Sequence, residues 1–299
     1  MDMQSLRQRT RGIAVFTPTP FSQDGTSTRV DEEGVRRNIE FLAQQRVPVV
    51  VSCGGVGELW DLSEEEHLQV VRAAADQAAG RLLVYAGACG DTRTCIERSQ
   101  QLEGVGADGV LLFPDDEIVP DAASTVAFYR AVSQSVSIGL MPFRADEIVD
   151  LSVLEQLAAL PNVVALKEER ENMDDFRQIV LALGDRLSII GAGDAFAPCY
   201  FVLGGAGLAC GLANFLPGLY VAMWEAAQAW DYQRVMELHA SLTPFDELRR
   251  RNGTSMIKAA LELIGLAGGP CRAGRSYMDA ADREALARLL ASFPHVQNA

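Results

Sequence analysis

The chain has 299 residues, enough for one large domain or two ordinary ones. Hydrophobic residues make up 48% of the chain and charged residues 22%, which is typical of a globular protein. Its formal net charge is −14, from 26 basic and 40 acidic residues, and no basic stripe is present, so we expect no nucleic-acid partner. No apolar stretch reaches the roughly 18 residues of a membrane span, and residues 1–10 lack an apolar signal core. We therefore expect a cytoplasmic protein without membrane contact.

The cysteines and histidines bear on redox state and metal binding. No two of the six cysteines form a Cys-x-x-Cys pair, and most stand in apolar surroundings, which is typical of reduced, packed thiols. Cys53, Cys89 and Cys210 each end a candidate strand, so a thiolate metal cluster remains an alternative. The three histidines fall on predicted helices or in the tail, which favours neither a Ser-His-Asp triad nor a multi-histidine zinc site. We expect no metal and no cofactor.

Short apolar runs alternate with amphipathic segments through about the first 230 residues. The runs begin near residues 12, 48, 82, 109, 137, 163, 187 and 207. Between them lie helix signals, such as the capping box formed by Ser63 and Glu66. Continuous apolar strands between amphipathic helices indicate a parallel sheet covered by helices, and eight such units suit a closed (β/α)₈ barrel, which is a TIM barrel.

An open doubly wound sheet is the alternative architecture. That fold usually shows a Gly-x-Gly-x-x-Gly turn after its first strand, whereas this chain has Phe-Thr-Pro-Thr at residues 16–19. Residues 231–299 contain no strand-like run and predict three helices, at 231–247, 254–266 and 279–293. We interpret residues 1–230 as the barrel and residues 231–299 as a C-terminal helical extension of the same domain.

Lys167 ends the sixth predicted strand, and it is the first candidate for chemistry. The chain contains only two lysines, Lys167 and Lys258, against twenty-four arginines, so its surface cations are almost all arginine. A lysine can lose its proton and attack a carbonyl, which an arginine cannot do. Burial in an apolar barrel lowers the pKa of a lysine and increases its neutral fraction.

Residues at the carboxyl ends of barrel strands form the active sites of this fold, which selects further candidates. Lys167 and Arg144 are the two cations among them, and the rest of the predicted barrel mouth is rich in carboxylates. A lysine beside an arginine suits a small anionic carbonyl compound, because the lysine forms the imine and the arginine holds a carboxylate.

Two other kinds of barrel site remain open on the residues alone. The glycine-rich run at residues 204–207 is similar to the phosphate-binding loops that some barrels carry near their last two strands. It precedes the last strand instead of following it, which favours a packing role for these glycines. A hydrolase with two catalytic carboxylates is the other alternative, drawn from Glu58, Asp115, Asp116 and Glu169. That interpretation gives Lys167 no role.

Several motifs along the chain follow one known pattern. Phe-Thr-Pro stands at residues 16–18, Gly-Gly-Val-Gly-Glu at 54–58, Leu-Ser-Glu-Glu-Glu-His at 62–67, Lys-Glu at 167–168 and Gly-Asp at 193–194. With these motifs the chain resembles the dihydrodipicolinate synthase and N-acetylneuraminate lyase superfamily from about residue 12 to its end. The resemblance implies a class I (Schiff-base) lyase, an aldolase or a dehydratase, acting on pyruvate or another 2-oxo acid. It also implies a C-terminal helical extension with a lysine at Lys258.

The same resemblance implies roles for individual residues, with departures from the usual pattern. Two threonines that bind the substrate carboxylate in the family are Gly55 and Val56 here, so backbone N–H groups are expected to do this. The family's proton-relaying tyrosine corresponds to Gly139, counted from Pro142, and Arg144 corresponds to an arginine that grips a substrate carboxylate. We also expect Ala209, on the last strand, among the substrate-binding residues.

The missing tyrosine leaves the acid–base group to be assigned. The candidates are Asp115, Asp116, Glu169 or a bound water, and we favour Asp116. We therefore predict a class I lyase with Lys167 and Asp116 as catalytic residues, acting on a 2-oxo acid such as pyruvate or a deoxy-keto sugar acid. The alternative is a non-catalytic or regulatory member that binds a small carboxylic acid. The resemblance further implies a homotetramer or a homodimer.

Overall fold

The computed structural model of the protein describes residues 1–24, 27–145, 149–272 and 278–293. The strands are β1 (Gly12–Phe16), β2 (Phe21–Asp24), β3 (Ser27–Val30), β4 (Val49–Ser52), β5 (Leu83–Gly90), β6 (Gly109–Pro114), β7 (Gly139–Arg144), β8 (Ala165–Glu168), β9 (Ser188–Ala192) and β10 (Gly207–Cys210). The helices are α1 (Met3–Arg9), α2 (Glu32–Gln44), α3 (Glu64–Ala78), α4 (Thr92–Gly104), α5 (Ala122–Ser133), α6 (Leu151–Leu157), α7 (Met173–Leu183), α8 (Ala197–Val202), α9 (Pro217–Gln228), α10 (Tyr232–Ala240), α11 (Thr243–Asn252), α12 (Thr254–Leu263) and α13 (Ala280–Ala291).

Eight strands close a parallel barrel in the order β1, β4, β5, β6, β7, β8, β9, β10 and back to β1. This order follows the chain, and helices lie between successive strands, so the predicted (β/α)₈ barrel with C-terminal helices is confirmed. β2 and β3 form a separate antiparallel pair between β1 and α2. Within the described part of the chain, none of the helices has the length and apolar character needed to cross a membrane.

Two apolar layers hold the barrel together, one on each face of its strands. Side chains alternate along a strand, so Val15 and Leu166 pack against the helices while Ala14 and Ala165 fill the barrel interior. Leu6 of α1 joins the interior cluster and closes the amino-terminal end of the barrel. Strands that are buried on both faces explain why the sequence shows continuous apolar runs.

Local signals for the helix starts agree with the structure. Ser63 accepts a hydrogen bond from the N–H of Glu66, and the Glu66 carboxylate accepts one from the N–H of Ser63, which is the predicted capping box of α3. Asp31 caps α2 in a similar way through the N–H of Gly34.

The structure differs from the sequence prediction in three places. β7 starts at Gly139 and continues through Pro142, because a proline φ fits a strand and the lost N–H removes only one donor. The predicted helix at 231–247 is two helices, α10 and α11, with Pro244 in the first turn of α11. α1 and the β2–β3 pair were not predicted. The division of the domain at residue 230 stays a prediction, and residues 273–277 and 294–299 of the predicted extension lie outside the described residues.

Candidate active site

Lys167 projects into the barrel from β8, near the carboxyl end of the strand. Strand alternation places it on the same face as Ala165, toward the barrel interior. The residue is 8% exposed, and its Nζ lies 4.9 Å from the ring centroid of Phe16 and 4.5 Å from that of Phe143. The amine therefore sits between two aromatic rings, where little water solvates it.

A cavity of about 360 Å³ opens at the carboxyl ends of the strands. Residues from both the barrel and the C-terminal helices line it: Phe16, Gly55, Val56, Trp60, Phe113, Phe143, Lys167, Glu169, Arg249 and Thr254. Lys167 and Arg249 are the cations among these lining residues, and Glu169 is the carboxylate. A volume of this size accommodates a small molecule, and the mixture of aromatic walls with a few polar groups is typical of ligand sites.

The Lys167 amine is subject to two opposing electrostatic effects. Burial lowers the pKa of Lys167, since an apolar wall disfavours the charged form. The Glu169 carboxylate acts in the opposite direction, because Lys167 Nζ donates a hydrogen bond to it. Burial is the larger effect, so the pKa of Lys167 is below its usual value and the neutral, nucleophilic amine is more accessible than for an exposed lysine.

The loop after β4 presents backbone donors to the same cavity. Cys53 and Glu58 adopt positive φ angles of 51° and 59°, and a Cβ on Gly57 would lie 2.7 Å from the backbone nitrogen of Cys53, so the tight turn requires glycine there. Gly55 and Val56 lie at the tip of this turn. Their N–H groups donate no hydrogen bond to any described residue, which leaves both available to a carboxylate.

Glu58 braces this loop against the C-terminal helices. Its carboxylate is fully buried, pairs with Lys258 Nζ at 2.5 Å and accepts a hydrogen bond from the N–H of Arg272 at 2.7 Å. Arg272 in turn forms two 2.6 Å contacts with Glu66 of α3. The second lysine of the chain is therefore a structural group, and Lys167 is the lysine in the cavity.

Arg144 does not reach the cavity, contrary to the sequence prediction. It follows Phe143 on β7, so strand alternation turns its side chain toward the helices. The guanidinium lies 2.7 Å from the Glu168 carboxylate and 3.0 Å from that of Asp175, and it also donates to the carbonyl of Val149. The residue is 1% exposed, so these buried contacts occupy the group that was expected to grip substrate.

Three further predicted residues are not among those that line the cavity. Gly139, the counterpart of the family's tyrosine when counted from Pro142, begins β7 at the closed end of the barrel, where a Cβ would lie 2.6 Å from Leu6. Ala209 is buried in the barrel interior, paired with Ala14 and Ala192. Asp116 is exposed in the turn after β6 and does not line the cavity.

Sequence reasoning missed several residues that the fold brings to the lysine. Phe143 stands beside Lys167 in the register of β7 and β8, although no sequence signal singled it out. Arg249 and Thr254 come from α11 and α12, more than eighty residues beyond Lys167 in the chain. The Arg-Arg-Arg run at residues 249–251 was visible in the sequence, but nothing local indicated which arginine faces the barrel.

A (β/α)₈ barrel with a buried lysine at a strand end, facing a small cavity, is the arrangement of a lysine-dependent aldolase or dehydratase. The sequence profile of the dihydrodipicolinate synthetase family matches residues 9–292, and the chain belongs to this family.

Individual relatives agree with this assignment. A 4-hydroxy-tetrahydrodipicolinate synthase of Methanoculleus marisnigri is 32% identical over 285 residues, 93% of this chain and 98% of the relative. A probable 5-dehydro-4-deoxyglucarate dehydratase of Rhizobium meliloti is also 32% identical, covering 93% of this chain and 94% of the relative. A solved dihydrodipicolinate synthase of Acinetobacter baumannii, complexed with pyruvate, superposes with a TM-score of 0.85 at 25% identity, covering 94% of this chain and 97% of that one.

These comparisons confirm the predicted family, the barrel fold and the enzyme class. The protein is an aldolase-type lyase of a family that acts on 2-oxo acids. Synthases and dehydratases match the chain about equally well, so similarity does not select one reaction. The predicted alternative, a non-catalytic member, receives no support from the comparisons.

Proposed function

We propose that Lys167 forms a Schiff base with a small 2-oxo acid, such as pyruvate or a deoxy-keto sugar acid, and that the adduct undergoes aldol chemistry or dehydration. The observation that carries this proposal is the position of the Lys167 amine: buried, between two rings, with a lowered pKa, at the wall of the cavity. A neutral amine in such a site attacks a carbonyl carbon to give a carbinolamine. Loss of water then gives the protonated imine.

The substrate carboxylate binds to the N–H groups of Gly55 and Val56. These two donors are unpaired within the described residues and line the cavity that Lys167 faces. A carboxylate held there places the adjacent carbonyl carbon inside the cavity, where the amine is the available nucleophile. Backbone donors hold the anion without relying on the hydroxyl groups that the family's threonines supply, and such charge-assisted bonds are stronger than neutral ones.

Glu169 is the group that moves protons in this scheme. Its carboxylate already accepts a hydrogen bond from Lys167 Nζ, and its side chain is 45% exposed, so it exchanges protons with solvent. It takes the proton released when the amine attacks and returns it to the departing hydroxide as water. It then removes a proton from the carbon next to the imine, which gives the enamine shared by aldol reactions and dehydration.

Borohydride trapping tests the proposal directly. The protein is incubated with pyruvate, reduced with sodium borohydride and digested for peptide mass spectrometry. We expect the reduced adduct on the peptide that contains Lys167. The other lysine is an internal control, because Lys258 is buried and paired with Glu58 and should stay unmodified.

The result that would overturn the proposal is equally defined. Absence of an adduct with pyruvate and with a panel of longer 2-oxo acids, in a protein shown to be folded by circular dichroism, removes the Schiff-base step. The variant Lys167→Arg keeps a cation in the site but cannot form an imine, so it should bind the acid without being trapped. Trapping of that variant to the same extent would also contradict the assignment.

The oligomeric state and the cellular location complete the proposal. We infer a homodimer or homotetramer, which sedimentation at several concentrations tests. We also infer a cytoplasmic enzyme, because buried thiols such as Cys53 and Cys210 stand as single cysteines in the barrel. Secretion of the native chain by its host would contradict that location.

A further inference from the structure

We propose that Arg249, with Thr254 beside it, binds a second carboxylate of the substrate, so that the enzyme selects 2-oxo acids that carry an anionic group at their far end. This inference rests on the proposed Schiff-base function and adds the class of substrate to it. Arg249 and Thr254 line the same cavity as Lys167, yet they belong to α11 and α12, outside the barrel. The C-terminal helices thus supply one wall of the site.

The contrast among three consecutive arginines supports this role. Arg250 pairs with Asp246 and Arg251 pairs with Asp282 at 2.9 Å, both as exposed side chains on the outer surface. Arg249 lines the cavity, and its guanidinium forms no hydrogen bond or ion pair with any described residue. A guanidinium carries five N–H donors in a planar fork, a geometry that fits a carboxylate with two parallel hydrogen bonds.

The surroundings of Arg249 keep its charge available to a ligand. Burial lowers the pKa of Arg249, and the charges of Asp194 and Asp246 oppose this effect by favouring the cationic form. Asp194 is itself engaged by the Tyr220 hydroxyl, which donates a hydrogen bond to it. The partly buried guanidinium therefore has no hydrogen-bond acceptor among the described residues, and an arriving carboxylate would supply one.

Different residues of the cavity lining would bind the different groups of such a substrate. The first carboxylate has the N–H groups of Gly55 and Val56, and the carbonyl has Lys167, so neither requires Arg249. Gly211, just after the end of β10, lies next to Arg249, Val56 and Ile257: a Cβ placed on it would be 3.7 Å from Arg249 Nε, 3.9 Å from the Val56 side chain and 2.8 Å from Ile257 Cδ1. Since Arg144 is held by Glu168 and Asp175, Arg249 is the cation left for a second carboxylate among the described residues that line the cavity.

Two five-carbon acids test the proposal, since 2-oxoglutarate and 2-oxopentanoate differ only in a terminal carboxylate. The measurement is the acid concentration that gives half-maximal borohydride trapping at Lys167. For the native sequence we expect half-maximal trapping of 2-oxoglutarate at a concentration at least about tenfold lower than that of 2-oxopentanoate. A tenfold difference corresponds to the lower limit of what a hydrogen bond to a charged group contributes. Arg249→Gln should abolish this difference by raising the 2-oxoglutarate concentration needed for half-maximal trapping, and Thr254→Val should reduce the difference.

Arg250→Gln is the matched control, because Arg250 is exposed on the same helix and paired on the surface, so it should keep the full preference. Equal trapping of the two acids by the native protein would overturn the proposal. An equal loss of both acids in Arg249→Gln, in a folded protein, would also overturn it and assign Arg249 to the first carboxylate. Absence of any adduct with either acid would instead refute the Schiff-base function on which the proposal rests.

Discussion

Phe143 stands beside Lys167 in register across β7 and β8, with Nζ 4.5 Å from the centre of its ring. Members of the family carry a phenol near the lysine, according to the resemblance noted in the sequence, whereas here the nearest group on β7 is a hydrocarbon ring. Such a ring has two effects on the amine: it excludes water and it offers a π face to the charged form. Exclusion of water prevails, since burial is the largest influence on the pKa of Lys167.

Replacing Phe143 with leucine tests this balance. The smaller side chain admits water to Nζ, so the pKa of Lys167 should rise toward its usual value. Trapping requires the neutral amine, and its rate increases with pH through the pKa of the lysine. We therefore expect the midpoint of the pH profile of trapping to move to higher pH in Phe143→Leu, measured with pyruvate at saturating concentration.

A matched substitution elsewhere shows that the shift is local. Phe128 is a buried aromatic residue of α5 that packs on Tyr129 in the helical layer. Phe128→Leu should lower the free energy of unfolding and leave the trapping midpoint unchanged. A midpoint that moves to lower pH in Phe143→Leu would contradict the dominance of desolvation.

Glu169 should separate adduct formation from the later proton transfer. Its carboxylate raises the pKa of Lys167, so Glu169→Gln should lower that pKa further and move the trapping midpoint to lower pH. The same variant lacks the base that removes a proton from the adduct. We expect the exchange of pyruvate methyl protons with deuterated water, followed by NMR, to slow by about 10²–10⁴-fold while the adduct still forms.

Asp116 provides the comparison for this prediction, because the sequence favoured it as the acid–base group. It is exposed in the turn after β6 and outside the cavity lining. Asp116→Asn should therefore exchange protons at the native rate. Slow exchange in Asp116→Asn together with normal exchange in Glu169→Gln would reverse the two assignments.

The sequence was sufficient to predict the barrel but not the full set of residues around its cavity. The period and the length of the apolar runs identify the strands. The rule that active sites of barrels lie at the carboxyl ends of the strands then leads to Lys167. The direction of a side chain depends on strand register to a single residue, which a motif count from Pro142 could not supply, so the sequence did not predict that Phe143 stands beside Lys167. Arg249 depends on how α11 packs on the barrel, a long-range property with no local signal.

Arg144 should behave as a structural residue rather than a substrate contact. Its guanidinium and the Glu168 carboxylate are both at most 2% exposed, and breaking such a pair leaves a buried charge without its partner. We expect Arg144→Met to reduce the free energy of unfolding by about 3–5 kcal/mol in urea titrations. The preference of the folded variant for 2-oxoglutarate over 2-oxopentanoate should be retained.

A second substitution distinguishes lost pairing from other damage at Arg144. Combining Arg144→Met with Glu168→Gln removes the buried negative charge, so the double variant should recover part of the lost stability. A loss of the preference for 2-oxoglutarate in Arg144→Met, with stability unchanged, would contradict this view. It would return the distal carboxylate to the residue that the sequence first suggested.

Asp194 should make the protein less stable as the pH rises above its folded-state pKa. Burial raises the pKa of Asp194 from 3.8 to about 6, although the Tyr220 hydroxyl and Arg249 oppose the change. A carboxyl group with a raised folded-state pKa stabilises the native state below pH 4, and this contribution is lost as the pH rises through 6. Asparagine cannot ionise, so the free energy of unfolding of Asp194→Asn at pH 8 should exceed that of the native protein. The difference should be at most about 3 kcal/mol, because the pKa of Asp194 is raised by about two units and each unit corresponds to about 1.4 kcal/mol.

The sign of the pH dependence of the unfolding free energy shows whether the buried Asp194 carboxyl group stabilises the protein in its neutral or its ionised form. Asp194→Asn and the native protein should converge at pH 4, because both then carry a neutral group at this position. Asp174→Asn is the matched control: hydrogen bonds from Arg177 and Gln178 lower the pKa of Asp174, so its replacement should not stabilise the protein at any pH. Urea titrations from pH 4 to pH 8 give both comparisons. The opposite result would be a free energy of unfolding that increases with pH in the native protein relative to Asp194→Asn. It would show that the ionised carboxylate is the stabilising form, and it would indicate direct contact between this carboxylate and Arg249.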